Sequence, residues 1–349
     1  MDWIFIGNFP PVKRRFDFCF AAILLALTCV AAETPISPDQ ENPNEVRPSG
    51  VPAHRQRSKS KSTANADADS EASATPRPRR THRATRSRES EDDSLPTQTV
   101  PGSIPKVSAS SVIVINVRTG GVLYEKNPDQ IRAPASTTKL LTGLIVAETG
   151  SFDRPVTVAQ VDTLAEPVKL NIKPGEIYSR IDLLRALLVK SPNDVARCVA
   201  RDNAGSIEAF AEKMNQRAAA LGATHSHFVN PNGLPDARQY STARDLATIA
   251  RVAYANPTIR SIVCLPQLMF RYANGRTREL ENTNKLLKRL PYCNGMKTGY
   301  TEAAGKCLIA SGTAGGKDII VVVLGDSHSG VWRDAGALLA WALFNPSAG

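Results

Sequence analysis

The chain has 349 residues, a formal net charge of +10 and 42% hydrophobic residues, enough for a sizeable core but unevenly distributed. Its positive charge is not accompanied by an aromatic-basic stripe or a recognisable nucleic-acid motif, so nucleic acid is not an expected partner.

Residues 1–32 read as a targeting segment. Lys13, Arg14 and Arg15 form a basic start, and an apolar run follows from Phe18 to Ala32. That run is about 15 residues, short of the roughly 18 or more needed to span a bilayer. It closes on Val30-Ala31-Ala32, small residues suited to signal peptidase, with Glu33 next. Export to the periplasm or cell envelope is the expectation. Cys29 offers a poor lipobox.

Residues 33–105 are rich in Pro, Ser, Thr, Ala and charge, with 11 basic and 11 acidic side chains. Such a stretch has too little apolar surface to offset its chain entropy, so a disordered tether or spacer is expected. The remainder, about 106–349, carries 29 basic and 20 acidic residues and reads as one catalytic domain. Its cysteines, Cys198, Cys264, Cys293 and Cys307, fit no zinc spacing. Disulfides and buried thiols are both open to them.

From Ser111, SVIVINV, then Arg118-Thr119-Gly120-Gly121, then VLYEKN predict a β-hairpin. Pro134 and Ser136 precede an apolar helix over Lys139–Glu148. Helical periodicity returns at Ile181–Lys190, Val195–Asp202, Ile207–Leu221 and Ala243–Tyr254. Lys306–Gly312 and Lys317–Leu324 read as strands around an Ala-Gly-Gly turn, and Trp332–Phe344 as a closing helix. Strands at both ends and helices between predict an α+β fold: one antiparallel sheet flanked by helices, with a helical subdomain.

Three short elements carry chemistry. In Ser136-Thr137-Thr138-Lys139, residues three apart share a helix face, so hydroxyl and amine can meet. A serine hydroxyl needs a base to become a nucleophile, and lysine can serve once burial lowers its pKa. The apolar residues that follow predict such burial, and a helix N-terminus favours a developing oxyanion. Alone the pattern is weak, since Ser58…Lys61 and Ser103…Lys106 repeat it. Ser191-Pro192-Asn193 is explained as a helix start, with Ser as N-cap and Pro in the first turn. Its functional reading adds a hydroxyl to pass a proton to a leaving amine, and an amide to hold substrate backbone. Lys297-Thr298-Gly299 follows Asn294-Gly295, which offers a turn. On an edge strand it would instead supply positive charge from Lys297, a hydroxyl from Thr298 for a substrate carboxylate, and room at Gly299 for a peptide. Tyr300 would add its backbone N–H to an oxyanion hole.

The conjunction of Ser-x-x-Lys, Ser-x-Asn and Lys-Thr-Gly in this order resembles the penicillin-recognising enzymes. The chain is similar to the low-molecular-weight penicillin-binding proteins, specifically the D-alanyl-D-alanine carboxypeptidases. NVRTGGVLYEKNPDQIRAPASTTKLLTGL, LNIKPGEIYSRIDLLRALLVKSPNDVA, FVNPNGLPDARQYSTARDLATIA and YCNGMKTGYTEAAGKCLIASG extend the likeness over about 107–345. The resemblance implies the β-lactamase/transpeptidase-like fold, with the site between the helices and the sheet edge. It implies acylation of Ser136 by a penultimate D-Ala carbonyl of a peptidoglycan stem peptide, release of D-Ala, and hydrolysis. Lys139 would be the base, Ser191 the proton relay and Asn193 a substrate ligand, with Lys297, Thr298, Gly299 and Tyr300 binding substrate. β-Lactams would be covalent inhibitors, and no metal or organic cofactor is implied. Pro192 stands where the family often has a small residue. The C-terminal β-domain and amphipathic anchor of many relatives are not found, so no C-terminal membrane anchor is expected.

Glu166 to Asn171 resembles the acidic deacylation loop of class A β-lactamases, but it precedes Ser191 and its spacing is one residue long, so Glu166 is not expected to act as a base. His225-Ser226-His227 lacks a third metal ligand, and His227 reads as structural. D,D-endopeptidase action on cross-links, and a non-catalytic wall-binding or sensor role, are the rival functions.

Overall fold

A computed structural model describes residues 102–346; the leader and residues 33–101 of the linker lie outside the described residues. The chain forms β1 (Ser111–Asn116), β2 (Val122–Lys126), α1 (Lys139–Thr149), β3 (Pro155–Thr157), β4 (Ile177–Ser179), α2 (Arg180–Lys190), α3 (Asn193–Ala204) and α4 (Ile207–Ala220). There follow α5 (Ala243–Ala255), α6 (Pro257–Val263), β5 (Gln267–Arg271), β6 (Thr277–Glu281), α7 (Leu286–Arg289), β7 (Cys293–Thr301), β8 (Gly305–Ala314), β9 (Lys317–Asp326) and α8 (Gly330–Phe344).

The main sheet has the order β2-β1-β9-β8-β7, with every neighbouring pair antiparallel. Its central strands are apolar on both faces because both faces are covered. Ile113, Ile115, Ile320 and Val322 enter the core shared with α1, α2, α3 and α5. Val112, Val114, Val321 and Val323 alternate with them and meet Leu338, Leu339 and Ala342 of α8 on the other side. The predicted α+β architecture is therefore present. β7 is left at the sheet edge, beside the helices.

Helix starts follow local chemistry. The hydroxyls of Ser179, Ser206 and Thr242 accept from the backbone N–H groups of Asp182, Ala209 and Asp245. Asn256 caps α6, with Pro257 in its first turn.

The sequence pattern assigned no element to 256–292. The hairpin β5/β6 lies there, and its weak signal has a physical reason: only Phe270 and Leu280 of its residues are buried. Asn294-Gly295 is not a turn; it belongs to β7, at an irregularity in the pairing with β8. Among the described residues, Cys198, Cys264, Cys293 and Cys307 are free thiols, and all but Cys264 are buried. Among the described residues, no helix is long and apolar enough to cross a membrane. No group of three or more His, Cys, Asp or Glu among them is placed to hold a metal. The His227 Nδ1 atom lies 2.7 Å from the Arg238 carbonyl oxygen, a structural contact.

Candidate active site

Ser136 sits in a single 3-10 turn, Ala135–Thr138, that runs straight into α1. Ala135 holds a φ of 47°, a left-handed conformation that costs a non-glycine residue energy. Two backbones clamp this turn. A Cβ added to Gly233, whose φ is +80°, would lie 1.7 Å from the Ala135 carbonyl oxygen. A Cβ added to Gly299 on β7 would lie 3.0 Å from the Ser136 nitrogen. The Lys-Thr-Gly glycine thus provides close approach to the Ser136 turn, as well as room along the strand.

Lys139 is the first residue of α1 and is 0% exposed. Its Nζ lies 2.9 Å from Ser136 Oγ, 2.7 Å from Asn193 Oδ1 and 2.7 Å from the Asn232 carbonyl oxygen. Burial, then the nearby Lys297 charge, hold its pKa well below the usual lysine range; Asp194 pushes the other way. A neutral amine has two donors and one lone pair. In that form, with Asn193 and Asn232 taking the donors, the lone pair would be left to accept the Ser136 proton across the 2.9 Å contact. That is the arrangement a base needs.

Ser191 does not cap α3. Its φ of 65° ends α2 in the left-handed region, and α3 has Pro192 at its N-cap with no side-chain cap. The Ser191 Oγ is buried with no hydrogen-bond partner among the described residues, and Ser191 lines the same cavity as Ser136. A buried hydroxyl without a partner is costly, which sets this residue apart from an ordinary helix start. Asn193 is engaged at both ends of its amide, accepting from Lys139 and donating to the Pro167 carbonyl.

Lys297 is 1% exposed, and burial lowers its pKa to about 7. Its Nζ donates to the Thr298 carbonyl at 2.9 Å. Thr298 donates its hydroxyl to Thr283 Oγ1 at 2.7 Å. Tyr300, 46% exposed, lies on the cavity wall.

The cavity measures about 870 Å³ and brings Ser136, Ser191, Asn193, Thr298, Gly299 and Tyr300 together. Lys139 and Lys297 lie beneath it.

Several participants had not been singled out from sequence. Asn232 supplies a carbonyl to Lys139 and donates its amide to the Asn193 carbonyl at 2.7 Å. Asp194, fully buried, accepts from the backbone N–H groups of Leu170, Asn171 and Ile172 at 3.0, 2.7 and 3.3 Å. It thereby fixes the loop whose Pro167 and Val168 form one cavity wall. The Asn-Gly pair in FVNPNGLPDARQY and the acid after Ser-Pro-Asn were the available signals. Glu166 points to solvent, paired with Lys169, and is not part of the wall.

Comparison with known proteins agrees with this geometry. A family model described as D-alanyl-D-alanine carboxypeptidase (Peptidase_S11) matches residues 97–328. The chain is 35% identical over 266 residues to the D-alanyl-D-alanine carboxypeptidase DacB2 of Mycobacterium tuberculosis, covering 74% of this chain and 90% of that protein. It is 34% identical to DacF of Bacillus subtilis, covering 63% of this chain but only 58% of the relative. A crystal structure of the Mycobacterium tuberculosis D-alanyl-D-alanine carboxypeptidase superposes with a TM-score of 0.67 at 35% identity, covering 74% of this chain and 98% of that one.

Proposed function

The chain belongs to the D-alanyl-D-alanine carboxypeptidase family, and on that premise we propose that it removes the terminal D-Ala from peptidoglycan stem peptides through an acyl-enzyme at Ser136. The observation that carries this reading is the 2.9 Å contact between Ser136 Oγ and a wholly buried Lys139 amine.

In this scheme Ser136 Oγ attacks the carbonyl carbon of the penultimate D-Ala, and its proton passes to Lys139 Nζ. The backbone N–H groups of Ser136 and Tyr300 receive the oxyanion. The C–N bond then breaks, and the departing D-Ala nitrogen takes a proton through the Ser191 hydroxyl. Water attacks the ester, the acid leaves, and Ser136 recovers its proton. Lys297 and Thr298 hold the terminal carboxylate, while Asn193 and Gly299 receive the peptide backbone. A β-lactam would follow the same first step and remain as an ester on Ser136. The steps call on no metal or organic cofactor.

A substrate in the cell wall requires export, which is the role assigned to residues 1–32. Residues 33–105 would act as a spacer before the catalytic domain. A deletion of 40–100 is then expected to leave peptidase activity in solution intact.

The test pairs wild type with Ser136→Ala in a labelled-penicillin assay and a D-Ala release assay. Both signals are expected to vanish in the variant. Labelling that survives the substitution would sink Ser136 as nucleophile. Wild-type labelling with cleavage of dimeric muropeptides, but no release of D-Ala, would replace the carboxypeptidase reading with an endopeptidase one.

A further inference from the structure

The cavity extends beyond the groups used above. Its wall continues past Tyr300 along Thr301, Glu302 and Ala303, and includes Lys306 and the first turn of α8 at Val331 and Trp332. Lys306 stands directly opposite Tyr300 in the β7/β8 register. Its Nζ lies 4.3 Å from the Tyr300 ring centroid, and the His328 ring packs against the same ring at 4.9 Å, tilted by 56°. The aromatic face holds the ammonium in place by its quadrupole but accepts none of its N–H groups in a strong hydrogen bond. No carboxylate pairs with Lys306 among the described residues. Burial, and then the charge of Lys285 on the same cavity wall, lower its pKa. Two acids line the cavity, Glu302 and Glu281; both are exposed and so better screened than half-buried Lys306, and Glu281 pairs with Lys288.

A peptide laid antiparallel on β7, with its terminal carboxylate at Thr298 and its scissile carbonyl at Tyr300, must send its earlier residues past Thr301 and Glu302. At about 3.4 Å per residue, the first of these lies one register step beyond the Tyr300/Lys306 pair, within reach of a long side chain turned back toward the Lys306 ammonium.

We propose that Lys306, held over the Tyr300 ring, forms a subsite for a free side-chain carboxylate on the peptide segment that precedes the D-Ala-D-Ala end. The inference rests on the peptidase reading and deepens it: the site selects acidic stem peptides over neutral ones. Lys306 acts in binding and takes no part in bond breaking.

The test compares wild type, Lys306→Gln and Lys306→Arg on three substrates. These are a pentapeptide with its side-chain carboxylates free, the same peptide amidated at those positions, and a short neutral tripeptide ending in D-Ala-D-Ala. For Lys306→Gln, KM on the acidic peptide is expected to rise about tenfold, the low end for one charge-assisted contact. Its kcat is expected to hold, as are its KM values on the amidated peptide and the tripeptide. Lys306→Arg is expected to restore most of the affinity. Equal effects on all three substrates, or no effect on any, would overturn the subsite. Equilibrium binding of the acidic and amidated peptides to Ser136→Ala, with and without Lys306→Gln, reads the same preference without turnover. A wild type that released no D-Ala would count against the peptidase reading, while this binding comparison would still decide the subsite.

Discussion

Substituting Gly233 by Ala tests whether the Ser136 turn is held by backbone contact. The new Cβ would fall 1.7 Å from the Ala135 carbonyl oxygen and 2.9 Å from the Ser136 nitrogen, so one of the two segments must move. It would also place a side chain at a φ of +80°. The backbone strain costs about 1–2 kcal/mol, and overpacking adds about 1–3 kcal/mol. A loss of about 2–5 kcal/mol in urea unfolding is expected. Displacing Ser136 by about 1 Å should slow acylation by labelled penicillin on the order of 100-fold. Gly222→Ala is the control, since its φ is +87° but nothing lies within 4 Å of the added Cβ. That variant should lose only the strain term and acylate at the wild-type rate. A folded Gly233→Ala that acylates normally, or a Gly222→Ala that acylates as slowly, would refute the clamp.

Asp194→Ala removes the shared acceptor of the Leu170, Asn171 and Ile172 N–H groups and should cost about 2–4 kcal/mol; a loss under about 1 kcal/mol in urea unfolding would contradict that role. Lys297 has a folded pKa of about 7, below its unfolded value. Between the two values the unfolded chain binds more protons, so stability should climb with pH from about 7 towards about 10. Lys297→Met should lose this part of the slope, and a wild-type-to-variant difference that stays constant between pH 7.5 and 9.5 would argue against it. Asp326 runs the opposite way: burial raises its pKa to about 6, with the Asp334 carboxylate adding to the shift. The folded state then binds the extra proton, and stability falls as pH rises from about 4 to about 6. Asp326→Asn should therefore stabilise the protein at pH 7.5, by about 1–3 kcal/mol, and give little at pH 4.5; equal effects at both, measured by thermal unfolding, would be inconsistent with a titrating carboxyl.

The main sheet and most helices were legible because their signals are local. Residues 112–115 and 319–324 are unbroken apolar stretches, as strands covered on both faces must be. The start of α3 was displaced from Val195 to Asn193, since polar Asn193 and Asp194 are buried by their hydrogen bonds and not by hydrophobicity. The β5/β6 hairpin was missed for the converse reason. Its alternation is carried by two buried side chains among charged neighbours, and such a half-exposed ribbon has little pattern to read.

The site divides along a different line. Sequence can mark a side chain by its chemistry, so Ser136, Lys139, Ser191, Asn193 and Lys297 stood out through their order. It cannot mark a backbone carbonyl, which every residue has. Two of the three partners of Lys139 Nζ are side chains that the motifs contain, and the third is the carbonyl of Asn232. Any residue at 232 could supply that oxygen; only the fold decides which one arrives. The Asn232 side chain matters in another way, by donating to the Asn193 carbonyl and fixing the start of α3. Truncating Asn193 deletes an acceptor of Lys139, whereas truncating Asn232 leaves both acceptors present and loosens their spacing. The setting of the Lys139 amine therefore depends on residue identity at one position and on backbone path at the other, and only the first of these leaves a trace in a motif.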